Sequence, residues 1–158
     1  MTKAIITSVE QTETVGLFSI TYVEENESEF AKFLIRFKDD ARTSKDIQKL
    51  VTTIDNIKHR GALERYFRPE GRMTDNVVAL PTFKSSIRLY CLRLSDEILI
   101  IGSGGMKGPG KYQDYPELLG CVISLQKLDL LIKEKIREGT IVLDRTDIID
   151  YEDTTFDI

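Results

Sequence analysis

The chain has 158 residues, of which 41% are apolar and 30% charged, with 22 Lys and Arg against 26 Asp and Glu for a net charge of −4. That length gives one domain with room for a packed core, and no apolar run approaches the roughly 18 residues of a membrane span. The opening Met-Thr-Lys-Ala-Ile-Ile-Thr-Ser-Val-Glu turns polar too soon for a signal peptide, so a cytoplasmic setting is expected.

Residues 3–9 and 15–23 are rich in β-branched and aromatic side chains, with Gly16 near the turn, and predict an opening β-hairpin. Asn26 precedes Glu29 at capping-box spacing, and Phe30, Phe33, Leu34 and Phe37 recur on one helical face. A polar break at Asp39-Asp40-Ala41-Arg42 leads to a second start signal, Thr43 to Asp46. Ile47, Leu50, Val51, Ile54 and Ile57 then hold helical spacing as far as Gly61. So short a link predicts a helical hairpin.

An irregular piece from Ala62 to Phe67 ends at Pro69 and Gly71. Strand signals then recur at Asn76 to Leu80, Ile87 to Leu94 and Glu97 to Ile101, joined too closely for parallel crossovers. The glycines at 102, 104, 105, 108 and 110 predict a mobile loop facing a substrate or partner. A long helix from about Pro116 to Glu138 carries Cys121, Leu125, Leu128, Ile132 and Ile136 on one stripe and stops at Gly139. Thr140 to Leu143 offers a last short strand. The expectation is a single domain over residues 1–143 and a loosely held acidic tail over residues 144–158, with Tyr151 and Phe156 exposed. Grouped strands with segregated helices make the fold class α+β, with N-terminal strands, a helical hairpin, a mainly antiparallel sheet and a C-terminal helix.

Charge is segregated along the chain. Lys and Arg against Asp and Glu number 7 to 10 over residues 1–57 and 10 to 5 over 58–111. They number 4 to 5 over 112–143 and 1 to 6 over 144–158. A basic middle between acidic ends suggests a polyanion-binding face that the tail masks; the plainer reading is a solvated surface. Cys91 and Cys121 have the setting of small buried apolar residues and no metal-binding spacing, and no metal or cofactor is expected.

The stretch from Ser86 to Lys111 is the most informative. Its first strand carries Arg88, Tyr90 and Arg93, and the second runs into Lys107 and Lys111. Arg88 and Tyr90 project alike, being two residues apart on a strand. Gly105 to Lys111 fits the G-x-x-x-x-G-K phosphate loop. It lacks the Ser or Thr for magnesium, and Tyr112 to Pro116 separate its Lys from the next helix, which argues against a nucleotide site. His59, the single histidine, lies near a helix C-terminus, where an imidazolium is favoured, though a surface cap is the plainer role. Tyr66 and Phe67 between Arg65 and Arg68 fit either base stacking or packing beneath a loop.

A helical hairpin followed by a three-strand meander, with Ile57-Lys58-His59-Arg60-Gly61, then Gly71 to Leu80, Ile87-Arg88-Leu89-Tyr90, Ile98-Leu99-Ile100-Ile101-Gly102 and Lys107, resembles the RelE/HigB branch of the RelE/ParE superfamily of bacterial toxins. The resemblance spans about residues 18–137 and rests on pattern and order. It implies a RelE-like fold and a toxin–antitoxin pair whose toxin cuts messenger RNA on the ribosome, with a neighbouring antitoxin as partner, a helix-turn-helix protein being one candidate. Arg88 matches the family's strand arginine and Lys107 its loop lysine as phosphate contacts. Tyr90 or His59 would move protons, and Arg65, Arg68, Arg72, Arg93 and Lys111 would touch RNA backbone. The chain departs from the family in its acidic charge, its extra N-terminal strand and its tail. Two other readings follow from the same resemblance: a module that keeps the fold without catalysis, and a ParE-like inhibitor of gyrase.

Overall fold

The computed structural model describes residues 2–71 and 75–158. Strands β1 (Lys3–Gln11) and β2 (Gly16–Tyr22) form the opening antiparallel hairpin. Helix α1 (Glu29–Phe37) begins at Ser28, whose Oγ accepts from the Ala31 N–H at 3.1 Å, so the cap lies two residues beyond the expected Asn26. Helix α2 (Ser44–Arg60) follows and is stopped by Gly61. Most of the spacing read from the sequence holds: Phe30, Phe33 and Phe37 of α1 and Ile47, Leu50, Ile54 and Ile57 of α2 are buried, whereas Leu34 is only partly buried and Val51 is exposed, each lying at the margin of its helix's apolar face.

After a single helical turn at Glu64–Tyr66, the chain makes β3 (Arg68–Pro69), β4 (Val77–Leu80), β5 (Ile87–Ser95) and β6 (Ile98–Met106). These pair in sequence, all antiparallel, and β6 then lies parallel to β2. Helix α3 (Pro116–Glu138) carries Pro116 at its start and ends at Gly139, which takes the left-handed conformation at φ 79°. The fold is α+β with a mainly antiparallel open sheet and α3 as the last helix. Among the described residues, no helix is long and apolar enough to cross a membrane.

The strands alternate cleanly between two cores. Phe18, Ile20, Tyr90, Leu92, Ile98 and Ile100 face α3 and its Leu118, Val122, Leu125, Leu128 and Ile132. Leu17, Leu89, Cys91, Leu99 and Ile101 face α1 and α2. Ser19 joins β2, β6 and α1: its buried Oγ donates to Ile101 O at 2.6 Å and accepts from the Phe30 N–H at 3.2 Å. Asp129 of α3 is buried and accepts from Asn76 Nδ2 at 2.9 Å and Lys133 Nζ at 2.8 Å, which pins the start of β4 to the helix.

Two expectations are corrected. Gly102, Gly104 and Gly105 belong to β6 rather than to a loop, because β6 stays paired with β5 as far as Met106. The acidic tail is part of the fold. Strands β7 (Val142–Asp144) and β8 (Asp147–Ile149) form a ribbon, and β9 (Thr155–Asp157) adds to the edge of β1. Ile148, Phe156 and Ile158 enter the α3-side core, and the Tyr151 ring meets Phe18 edge-on at 5.3 Å. Apolar residues that anchor a strand outweigh the acidic composition, whose carboxylates simply line the outer side. Thr2 and Ile158 exchange backbone hydrogen bonds at 3.4 and 2.9 Å.

Truncating Phe156 to Ala should therefore destabilise the protein by about 3 kcal/mol, read as a lower urea midpoint at unchanged slope. A change below about 0.5 kcal/mol, the range for exposed positions, would return residues 144–158 to the status of a loose tail.

Candidate functional site

Strand β5 delivers the central groups. Arg88 and Tyr90 leave it on the α3 face, and both are buried, at 8% and 0% exposure. Arg88 is bent back on the preceding connection, with Nη1 donating to Ser85 O at 3.0 Å and Ile87 O at 2.8 Å. Its Nε and the Tyr90 hydroxyl have no hydrogen-bond partner among the described residues. A buried polar group left so costs about 1–3 kcal/mol, and here two stand side by side on one strand. Such an arrangement suits a ligand that accepts hydrogen bonds.

Strand register brings more chemistry to the same face. Arg68 lies opposite Ala79, and Ala79 opposite Tyr90, so the three form one row across β3, β4 and β5. Arg68 donates from Nε to Pro81 O at 2.9 Å and from Nη2 to Thr82 O at 3.1 Å. Glu70, two residues on, is half-buried. Burial pushes its carboxyl above the usual glutamate range, and the positive charges of Arg68, Arg88 and Lys107 only partly offset this. Arg88 is pushed the other way, chiefly by burial and then by the like charge of Arg68. Burial, with the Glu70 charge behind it, raises the Tyr90 phenol well above its ordinary value, so Tyr90 keeps its proton and acts as a donor. The ring of Tyr112, in the turn Tyr112–Asp114, packs against that of Tyr90 at 6.2 Å.

Lys107 completes the group. Its backbone N–H donates to Ser86 O at 2.8 Å, and its Nζ reaches Gly110 O at 2.6 Å. Arg88 and Lys107 line one cleft of about 610 Å³, together with Lys84, Ser85, Ser86 and Asp46. Only glycine permits the close approach of β6 to β5 beside Arg88, since a Cβ on Gly104 would stand 1.7 Å from Arg88 O. Three cations of the middle segment, Lys84, Arg88 and Lys107, thus line one concave place, and Glu70 and Tyr90 lie within electrostatic reach of Arg88.

Other residues marked in the sequence lie elsewhere. His59 is exposed at the far end of α2, 2.8 Å from Asp55 O, whereas Asp46 near the start of that helix lines the cleft. The intervening helix spans about 20 Å, which removes His59 from the cluster. Arg93 faces the opposite side of β5 and is spent on Ala62 O at 2.6 Å and on Asp96 and Glu64. Arg65 is exposed and lies over the Tyr66 ring at 5.3 Å. Phe67 is buried and Tyr66 packs against the same core, so this aromatic pair serves packing. Lys111 is exposed just beyond the cleft loop. Arg72 lies outside the described residues.

The apparent phosphate loop is also dispersed. Gly105 is in β6, Lys111 precedes a single turn, and β7, which ends in Asp144, pairs with β8 rather than β6. Among the described residues, no cluster of three His, Cys, Asp or Glu side chains is placed to share a metal ion. Cys91 is buried and its thiol is pushed up by that burial. Burial likewise raises the Cys121 thiol to about 11, so neither is a ready nucleophile. In comparisons with known proteins, no family model, no curated protein and no solved structure matches the chain.

Sequence reasoning missed Glu70, Tyr112 and Asp46. Alternation of Arg68 with Glu70 was the one available signal for the first, since charges at i and i+2 of a strand share a face. Replacing Glu70 by Gln tests its environment. A carboxyl raised on folding stabilises the protein while protonated and loses that contribution as pH climbs through its folded value. The Gln variant should gain stability relative to wild type as pH rises from about 4 to 7, measured as the difference in Tm. A constant difference would show that Glu70 ionises as a surface residue does.

Proposed function

We propose that this protein is a RelE/HigB-like toxin component acting on RNA in the cytoplasm, with the Arg88–Lys107 cleft as its phosphodiester site. The observation that carries the reading is the shared cleft: a buried guanidinium with an unpartnered Nε and a lysine just beyond the following strand border one concavity, within electrostatic reach of Glu70. The order of elements supports it, since a strand, a helical hairpin, an antiparallel meander and a final helix occur in the sequence the toxin family uses.

In this reading the 2′-OH attacks the adjacent phosphorus and gives its proton to the Glu70 carboxylate. A carboxyl held above the usual glutamate range is the better base. The charge that grows on the phosphoryl oxygens is met by Arg88 and by the Tyr90 hydroxyl as a donor. The P–O5′ bond breaks, and the Lys107 ammonium supplies the proton that the 5′-oxygen takes. A cyclic 2′,3′-phosphate and a free 5′-hydroxyl result. Arg68 and Lys111 would hold flanking phosphates, and messenger RNA on the ribosome is the expected substrate, with a cognate antitoxin as the neutralising partner.

One observation favours a non-catalytic RNA- or protein-binding module instead: Lys107 Nζ is satisfied by two carbonyls of its own loop, at 2.6 and 3.3 Å. Induction in a bacterium separates the two. Wild type should arrest growth and cleave translated RNA, while Lys107→Ala and Arg88→Ala should each lower cleavage by about 100-fold. Growth unaffected by wild type, with intact RNA in the presence of ribosomes, would end the toxin reading.

A further inference from the structure

Thr43 and Asp46 have the spacing of a helix-capping pair, yet they do not cap α2. The Thr43 N–H is taken by Asp40 O at 3.0 Å, and Thr43 Oγ1 donates to Phe37 O at 2.7 Å. The helix records no side-chain capping bond from Thr43. Asp46 turns outward instead. Its Oδ2 accepts from the Ser86 N–H at 2.9 Å and from Ser86 Oγ at 2.7 Å.

Ser86 and its neighbour Ser85 also contact the two residues that carry the cations, one at its side chain and the other at its backbone. Ser85 O accepts from Arg88 Nη1 at 3.0 Å, and Ser86 O accepts from the Lys107 N–H at 2.8 Å. Ser85 Oγ also accepts from the Ile87 N–H at 3.2 Å, which fixes the peptide that leads into Arg88. We propose that Asp46 is a positioning residue of this cleft: its carboxylate clamps Ser86, and through it the Ser85–Ser86 segment whose carbonyls accept from the Arg88 side chain and the Lys107 N–H. The assignment rests on reading this cleft as a phosphodiester site, although the clamp itself does not require cleavage.

Physical conditions favour a strong clamp. Asp46 lies in the first turn of α2, where the helix dipole stabilises negative charge. Burial works against its ionised form, but the two bonds from Ser86, with the nearby Ser85 hydroxyl and Lys49, outweigh it, and the carboxyl is held below its usual range. At the other end of the same connection, Arg68 holds Pro81 O and Thr82 O. The connection from Leu80 to Ile87 is thereby gripped at both ends by charged side chains from different elements. Loss of Asp46 frees the end that carries Arg88.

The test compares wild type with Asp46→Ala and the milder Asp46→Asn and Ser86→Ala. Amide hydrogen exchange is followed by NMR, and affinity for a fluorescein-labelled single-stranded oligoribonucleotide by anisotropy. Exchange protection at the Lys107 amide should fall about tenfold, while protection at Leu92 and Ile100 stays unchanged. RNA affinity should fall by a similar factor, and in a Lys107→Ala background the Asp46 change should cost less than about threefold more. Unchanged protection at Lys107 would overturn the assignment. So would a uniform loss across the sheet, which is the mark of a general structural role, or a selective loss that leaves RNA affinity intact while Arg88→Ala abolishes it. If wild type binds no RNA yet Lys107 protection falls selectively in Asp46→Ala, the clamp stands and the RNA reading fails.

Discussion

Everything in this fold depends on the pairing of β2 with β6. It is the single parallel contact among the described strands, and it joins the N-terminal hairpin to the last strand of the meander across a separation of 82 residues, Gly16–Ser19 lying against Ile98–Ile101. A parallel pair requires a long crossover, and the helical hairpin supplies it. That hairpin covers one face of the sheet and leaves the other to α3. Ser19 marks the junction, because its hydroxyl serves β6 and α1 at once in a place where an unpaired polar group would be costly.

The same pairing decides where chemistry can gather. With β6 fixed beside β2, its antiparallel register with β5 brings Lys107 next to the start of β5, and hence next to Arg88. Residues 68 to 107 are basic in sequence, yet only some of the cations meet. Strand parity sends Arg88 to one face and Arg93 to the other, and α2 carries His59 to its distant end. Convergence is therefore a result of register, with charge supplying the means.

Periodicity made the helices and the principal strands legible before any coordinates. Phe30, Phe33 and Phe37 declared one face, and Gly61 and Gly139 declared two stops. What stayed hidden depended on contacts remote in sequence. Three glycines after Ile101 have the composition of a loop, but the close approach of the β5 backbone at Arg88 is what calls for Gly104. Asp46 had the spacing of a cap and answers instead to a serine 40 residues away. Glu70 carries its interest in its burial, which no local pattern states. The tail misled for a related reason: six acidic residues dominate its composition, while Ile148, Phe156 and Ile158 dominate its energetics.

The exchange of backbone bonds between Thr2 and Ile158 has a topological corollary. Both termini of the described polypeptide emerge at one corner of the molecule, so a linker of a few glycines could join them head to tail. A ring closed there can be reopened at a solvent-facing turn, such as the one between β5 and β6, with each strand keeping its neighbours. Circularly permuted versions of this protein would thereby separate what the order of synthesis contributes to assembly from what the finished contacts contribute.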